Sequence, residues 1–127
     1  MTEKQKFNSI NYDLINLLNA YCEGFFPMAN EETGEIHFYS PEIRAIFPIY
    51  ELKIPKSLKK FLEKNPMNCT INHDFNYIIK CCSQRETTWI SDEIIEIYCQ
   101  LHRIGFAHSV ETWFNGEIGR ASCRERV

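Results

Sequence analysis

No apolar run in this 127-residue sequence approaches the ~20 residues needed to cross a bilayer, so no membrane partner is expected. Glycine is scarce, at five residues, and no glycine-rich loop of the kind that cradles phosphates occurs. The six cysteines, at positions 22, 69, 81, 82, 99 and 123, form no Cys-x-x-Cys pair, and the four histidines are scattered. That spacing is poor for zinc, so reduced thiols are expected, with no metal site and no cofactor. The polar start, Met1 to Lys6, has no apolar segment behind it. No signal peptide is read there, and the expected compartment is the cytoplasm. An excess of positive charge is missing too: 14 basic residues face 17 acidic ones, for a net charge of −3. Contact with nucleic acid must then come from a local patch, not a bulk field.

What is present suffices for a core. The chain is 44% hydrophobic and 13% aromatic, enough for one domain or for one and a piece of another. The pattern is mixed, and the expected fold class is α+β. Residues 1–8 are expected to fray. Ser9 or Asn11 can cap a helix over Tyr12 to Glu23, with Gly24 as its stop. Phe25-Phe26-Pro27-Met28 then reads either as a hydrophobic plug under that helix or as the wall of a pocket. A polar turn at Asn30 to Gly34 leads into a short strand over Glu35 to Tyr39. A second strand is expected over Ile43 to Pro48, with Arg44 held in a plain salt bridge or against a phosphate. Next comes a helix from Pro55 to Lys64 that should bury Leu58, Phe61 and Leu62. Lys53, Lys56, Lys59, Lys60 and Lys64 form its one basic face, which is either simply solvated or a phosphate-backbone contact. Met67 to Ile71 reads as a strand, and Asn72 or His73 as the cap of a helix over Asp74 to Ser83.

The stretch from Cys81 to Trp113 organises the rest. Ser91-Asp92-Glu93 is a helix start, with a hydroxyl cap and two acids at the positive end of the macrodipole. Ile94, Ile97, Tyr98, Leu101 and Ile104 have helical spacing. Gly105 ends the helix, and Ala107 to Phe114 alternates as a strand. No nucleophile paired with a base is legible, and His102 and His108 read as hydrogen-bonded structural residues more readily than as catalysts. The remaining chemistry is a set of aromatics: Tyr21, Phe26, Phe38, Tyr39, Trp89 and Tyr98. Such rings stack on nucleobases for ~1–3 kcal/mol each, and they also build cores.

Five segments occur in a telling order: Tyr21-x-x-Gly24-x-Phe26-Pro27, Ser40-Pro41-x-x-Arg44, Ser57-Leu58-Lys59-Lys60, Thr88-Trp89-Ile90, and Gly105-x-Ala107-His108-Ser109-x-Glu111-x-Trp113. The series resembles the bacterial leucyl/phenylalanyl-tRNA–protein transferases over about Tyr12 to Gly116. The resemblance implies an aminoacyltransferase that moves Leu or Phe from Leu-tRNA or Phe-tRNA to a protein with N-terminal Arg or Lys, marking it for degradation. It implies a small N-terminal domain over 1–41 and, over 42–117, part of an acetyltransferase-like (GNAT-like) domain. Tyr21, Trp89 and Tyr98, with Phe26 and Met28 beside them, would hold the 3′-terminal adenosine, and the lysine face would meet the tRNA backbone. No catalytic group falls within this chain, because the family's acid and amide groups lie beyond Gly116. The expected species is an inactive monomeric fragment. Two positions depart from the family: Met28 stands where many members carry Trp, and Asn8 to Leu14 replaces a glycine-rich lead-in. The rival readings are a non-catalytic binder of tRNA ends or peptides and an acetyl-CoA-dependent N-acetyltransferase.

Residues 118–127 look foreign. After Asn115-Gly116, a strong hairpin signal, the chain should return as an apolar strand, yet it reads Ile-Gly-Arg-Ala-Ser-Cys-Arg-Glu-Arg-Val. Back-translation reproduces a common sequencing-library adapter in frame. A non-native tail and an open sheet edge after Phe114 are therefore expected. Resequencing the genomic locus should find adapter bases absent downstream of the Glu117 codon. Coding sequence running uninterrupted through this string would overturn that expectation.

Overall fold

A serine sets the longest helix. Ser91 is extended, and its Oγ accepts the Ile94 N–H at 3.3 Å, opening α4 (Asp92–Arg103) with Asp92 and Glu93 in its first turn. The apolar spacing puts Ile94, Ile97, Tyr98 and Leu101 on one stripe, each at 6% exposure or less. Gly105, at φ +87°, closes the far end: Phe106 N–H reaches the Leu101 carbonyl at 2.9 Å and Gly105 N–H the His102 carbonyl at 3.0 Å. That is a glycine stop of the Schellman type.

The computed structural model describes residues 2–6 and 14–125, with side chains over 14–119. Two antiparallel three-stranded sheets flank the helices. The first has order β1-β3-β2, from β1 (Thr2–Lys6), β2 (Phe26–Ala29) and β3 (Ile36–Ser40). The second has order β4-β5-β6, from β4 (Asn68–Ile71), β5 (Ala107–Phe114) and β6 (Glu117–Glu125). Helices α1 (Leu14–Cys22), α2 (Lys56–Lys64) and α3 (Phe75–Ser83) complete the described elements, with a 3-10 turn at Ile49–Glu51. One core joins both halves: Leu17, Ala29, Ile36 and Phe38 pack in the same cluster as Phe75, Ile79, Ile94, Leu101 and Ala107. The expected boundary at 41/42 falls just after β3, and the packing runs across it. Among the described residues no helix is long and apolar enough to cross a membrane.

Several expectations are corrected. Residues 2–6 form β1 on the free edge of β3, where open backbone groups accept a third strand. Phe26 to Ala29 is a strand, so Pro27 sits in a ladder, buried opposite Phe38. No strand forms over Ile43 to Pro48. Ile43, Ile46 and Phe47 are 83–90% exposed, and Arg44 and Pro48 interrupt a run that finds no partner edge. The apolar side of α2 is likewise open, with Leu58, Phe61 and Leu62 at 40–51%, because α2 stands away from the shared core. Leu52, Ile54, Lys59, Leu62 and Glu63 line an open groove of about 630 Å³ there. Ile104 is exposed at the end of α4. Asp74, not Asn72 or His73, caps α3, its carboxylate accepting the Tyr77 N–H at 3.1 Å. Nor does β5 keep an open edge, since β6 pairs with it from Phe114↔Glu117 back to Ala107↔Glu125. Asn115 (φ 51°) and Gly116 (φ 78°) make the two-residue turn. Backbone pairing does not require apolar side chains on the returning strand. The proposed caps Ser9 and Asn11 lie outside the described residues.

Burial separates the two apolar populations in a measurable way. Leu101→Ala, at a fully enclosed site, should cost about 2–5 kcal/mol in urea unfolding. Ile46→Ser should stay within about 0.5 kcal/mol of the parent protein, because its side chain already faces water.

Candidate functional site

Helix α1 ends in a second glycine stop. Gly24 has φ +89°, its N–H reaches the Tyr21 carbonyl at 2.9 Å, and Phe25 N–H reaches the Ala20 carbonyl at 2.8 Å. This leaves Tyr21 on the last turn, half-buried, with its hydroxyl hydrogen-bonded to that of Tyr98 on α4. Residues 77 positions apart are thereby joined. The resemblance implied that Tyr98 helps to hold an adenosine, while its helical spacing put it on the apolar stripe of α4. At 6% exposure its ring belongs to the core, so the hydroxyl is the part that reaches the Tyr21 side.

Trp89 lies on the loop that precedes α4. Its carbonyl accepts the Ala29 N–H at 3.0 Å, which ties the loop before α4 to the end of β2. Thr88 Oγ1 accepts the Ile90 N–H at 3.1 Å and fixes the local turn. The Trp89 side chain remains 41% exposed. On β2, Pro27 and Ala29 face the core, while Phe26 and Met28 lie half-buried on the other side. Register places Phe26 opposite Tyr39 and Met28 opposite His37. His37 sits 3.5 Å from the Glu35 carboxylate and tilts against Tyr39 at 6.5 Å between ring centroids. Sheet register thus groups Phe26 and Met28, α1–α4 packing groups Tyr21 and Tyr98, and a backbone bond brings Trp89 to β2. Lys53, Lys56, Lys59, Lys60 and Lys64 are all exposed and make no ion pair among the described residues. No described contact joins them to the aromatic group.

The Ala107-His108-Ser109-x-Glu111-x-Trp113 segment does something the alternation alone did not reveal. Ala107, Ser109 and Glu111 all face inward from β5, and none of the three has any exposure. The Glu111 carboxylate accepts the Ser109 hydroxyl at 2.5 Å and the Thr70 hydroxyl at 2.6 Å, while Trp113 Nε1 donates to Thr70 Oγ1 at 2.8 Å. Burial by itself would push this carboxyl up. The hydroxyl hydrogen bonds from Ser109 and Thr70, with one from the His73 backbone, outweigh it and hold Glu111 below the usual carboxylate range. Asn72, at φ 57°, extends the lock: its Oδ1 accepts the Ser109 N–H at 3.0 Å, and its Nδ2 lies 3.0 Å from His108 Nδ1. His108 Nε2 meets the Gly105 carbonyl at 3.1 Å, and His102 stacks on Phe75 at 4.4 Å with Nδ1 against the Ala107 carbonyl. Both histidines are structural. Thr70, Ser109 and Glu111 were not singled out from sequence as a group. The available signal was an acid at an inward position of an alternating strand.

Two family descriptions match the chain: leucyl/phenylalanyl-tRNA protein transferase over residues 46–120, and the N-terminal domain of the same enzyme over residues 12–42. Curated proteins named leucyl/phenylalanyl-tRNA–protein transferase are similar to it. That of Akkermansia muciniphila is 46% identical over 101 residues, covering 76% of this chain and 52% of that protein. That of Herpetosiphon aurantiacus is 42% identical over 103 residues, covering 80% and 53%. That of Chlorobaculum tepidum is 39% identical over 107 residues, covering 81% and 55%. The chain spans about half the length of these relatives.

Because the folded Glu111 value is depressed, its contribution to stability is complete at neutral pH. It is lost as pH falls from the ordinary glutamate range through the lowered folded value. Glu111→Gln keeps the shape but turns one acceptor into a donor facing a hydroxyl, so it should cost about 1–3 kcal/mol at pH 7. Below pH 4 that difference should shrink in urea titrations followed across pH.

Proposed function

The chain belongs to the leucyl/phenylalanyl-tRNA protein transferase family, and from that premise we propose that it holds the 3′-terminal adenosine of an aminoacyl-tRNA. The observation that carries the reading is the meeting of the Tyr21 and Tyr98 hydroxyls in a fold that leaves Trp89 open on the neighbouring loop. Trp89 supplies a stacking face for the base, and Phe26 and Met28 form the adjoining wall. A flexible Met28 thioether fills space against a ring without the rigidity of a tryptophan. Tyr21 and Tyr98 act through their hydroxyls as polar markers for the ribose end. The exposed lysines of α2, and Lys53 just before it, meet the tRNA backbone as point charges.

The activity we assign to the whole protein is transfer of Leu or Phe from Leu-tRNA or Phe-tRNA to the α-amine of a protein beginning with Arg or Lys, by a monomer. In that step the amine nitrogen bonds to the ester carbonyl carbon. The bond from that carbon to the 3′-oxygen breaks, and the amine proton passes to the released hydroxyl. Such chemistry depends on alignment and on donors aimed at the developing oxyanion more than on a covalent enzyme intermediate. The residues described here serve alignment of the donor substrate. We read the part from residue 42 onward as acetyltransferase-like. Support comes from the antiparallel β4-β5-β6 sheet backed by α3 and α4.

A phosphate-free 3′-(phenylalanylamino)adenosine should quench Trp89 fluorescence in a saturable way. Trp89→Ala should weaken binding by about 1–3 kcal/mol, measured by calorimetry. A wild-type protein that fails to bind this compound at millimolar concentration would rule out the adenosine pocket.

A further inference from the structure

Arg44 was expected to meet a carboxylate or a phosphate. Instead its Nη2 donates to the Gly24 carbonyl, across 20 residues of chain, and that is its one polar contact among the described residues. The acceptor lies just past the end of α1, where the negative end of the helix dipole favours a cation. The contact also joins two motifs, Tyr21-x-x-Gly24 and Ser40-Pro41-x-x-Arg44, that sequence order keeps apart.

The gripped peptide controls two parts of the proposed pocket. Gly24 N–H holds the Tyr21 carbonyl at 2.9 Å, and two residues onward Phe26 begins β2. A Cβ added at Gly24 would lie 3.3 Å from Arg44 Nη2 and 3.9 Å from Ser40 Oγ. Glycine is favoured by its φ of +89°, and an added Cβ would also press on the guanidinium, which would have to shift by a few tenths of an ångström. Arg44 thus adds a side-chain tie from outside α1 to the α1–β2 corner, beside the helix's own stop and the hydroxyl contact that Tyr21 makes with Tyr98.

We propose that Arg44 is a positioning residue for the adenosine pocket: it clamps the α1–β2 corner so that Tyr21 is presented to Tyr98, and it does not touch the ligand. The proposal rests on the adenosine reading of the site. It assigns Arg44 its effect through hydrogen-bond donation to a backbone carbonyl, not through charge on a phosphate.

The test uses the phosphate-free 3′-(phenylalanylamino)adenosine, calorimetry, and thermal unfolding of each variant. Arg44→Ala should bind about five- to tenfold more weakly than the wild type, the effect of losing one charge-assisted hydrogen bond. Arg44→Lys, which keeps a charged N–H donor of nearly the same reach, should recover most of that loss. Gly24→Ala should weaken binding less in the Arg44→Ala background than in the wild type, since only the backbone strain remains once the guanidinium is gone. Where Arg44→Ala does not fold, the Arg44→Lys and Gly24→Ala proteins carry the comparison. Arg44→Ala binding within twofold of the wild type, or Arg44→Lys as weak as Arg44→Ala, overturns the clamp while leaving the pocket intact. Wild-type protein that does not bind overturns the adenosine reading, and the clamp with it.

Discussion

Burial of the apolar stripe of α4 is the constraint on which the rest of the molecule depends. Ile94 and Leu101 are wholly enclosed and Ile97 nearly so, and they meet residues of α1, β2 and β3 on one side and of α3 and β5 on the other. Each fully buried aliphatic side chain contributes about 1.5–3 kcal/mol. Helix α4 packs against β2 of one sheet and β5 of the other. The same stripe carries Tyr98, so the force that folds the chain also sets the depth at which its hydroxyl meets Tyr21. The tyrosine pairing is a by-product of packing in this sense: the helix must be seated for the core to close, and seating it brings the two hydroxyls together.

A second, polar constraint fixes register. A carboxylate with no exposure is expensive unless its lone pairs are satisfied. Around Glu111 the donors come from β5 itself, from β4, and from the connection into α3. A slip of one residue in the β4–β5 pairing would turn Thr70 away and strand the charge. The sheet is thus specified by hydrogen bonding where its side chains are too mixed to specify it by apolar patterning. Asn72 and His108 extend the same logic to the β4–α3 corner, which needs a positive φ at Asn72 and ties down its side chain at both ends.

Where the sequence was legible, local chemistry and tertiary need agreed. The Ser91 cap, the Gly24 and Gly105 stops, the Asn115-Gly116 turn and the helical spacing of α4 are short-range signals, and each is present where expected. Where it misled, partners decided. Ile43 to Pro48 has strand composition but no edge to join, and the apolar face of α2 has helix spacing but no surface to cover. Phe25 to Met28 read as a plug under α1 or as a pocket wall, because Pro27 disfavours helix and no strand signal stood out. Phe26 to Ala29 became a strand because β3 offered an edge and Pro27 could give its ring to the core. The corner clamp of Arg44 on Gly24 was hidden for the same reason: nothing in local sequence says which carbonyl a guanidinium will find.

By itself, then, the sequence determined the α+β class, the ends of its best helices and the identity of the aromatic residues, because these follow from spacing, caps and residue type within a few positions; its ordered segments from Tyr21 to Trp113 carried the resemblance to the family. Only the tertiary structure decided that Tyr98 turns its ring into the core and keeps its hydroxyl for Tyr21. The same is true of Glu111 as a buried lock and of Arg44 as the partner of a helix end. Each of these joins residues at least twenty positions apart or sets which way a side chain faces, and both are fixed by how elements pack, not by what precedes or follows them in the chain.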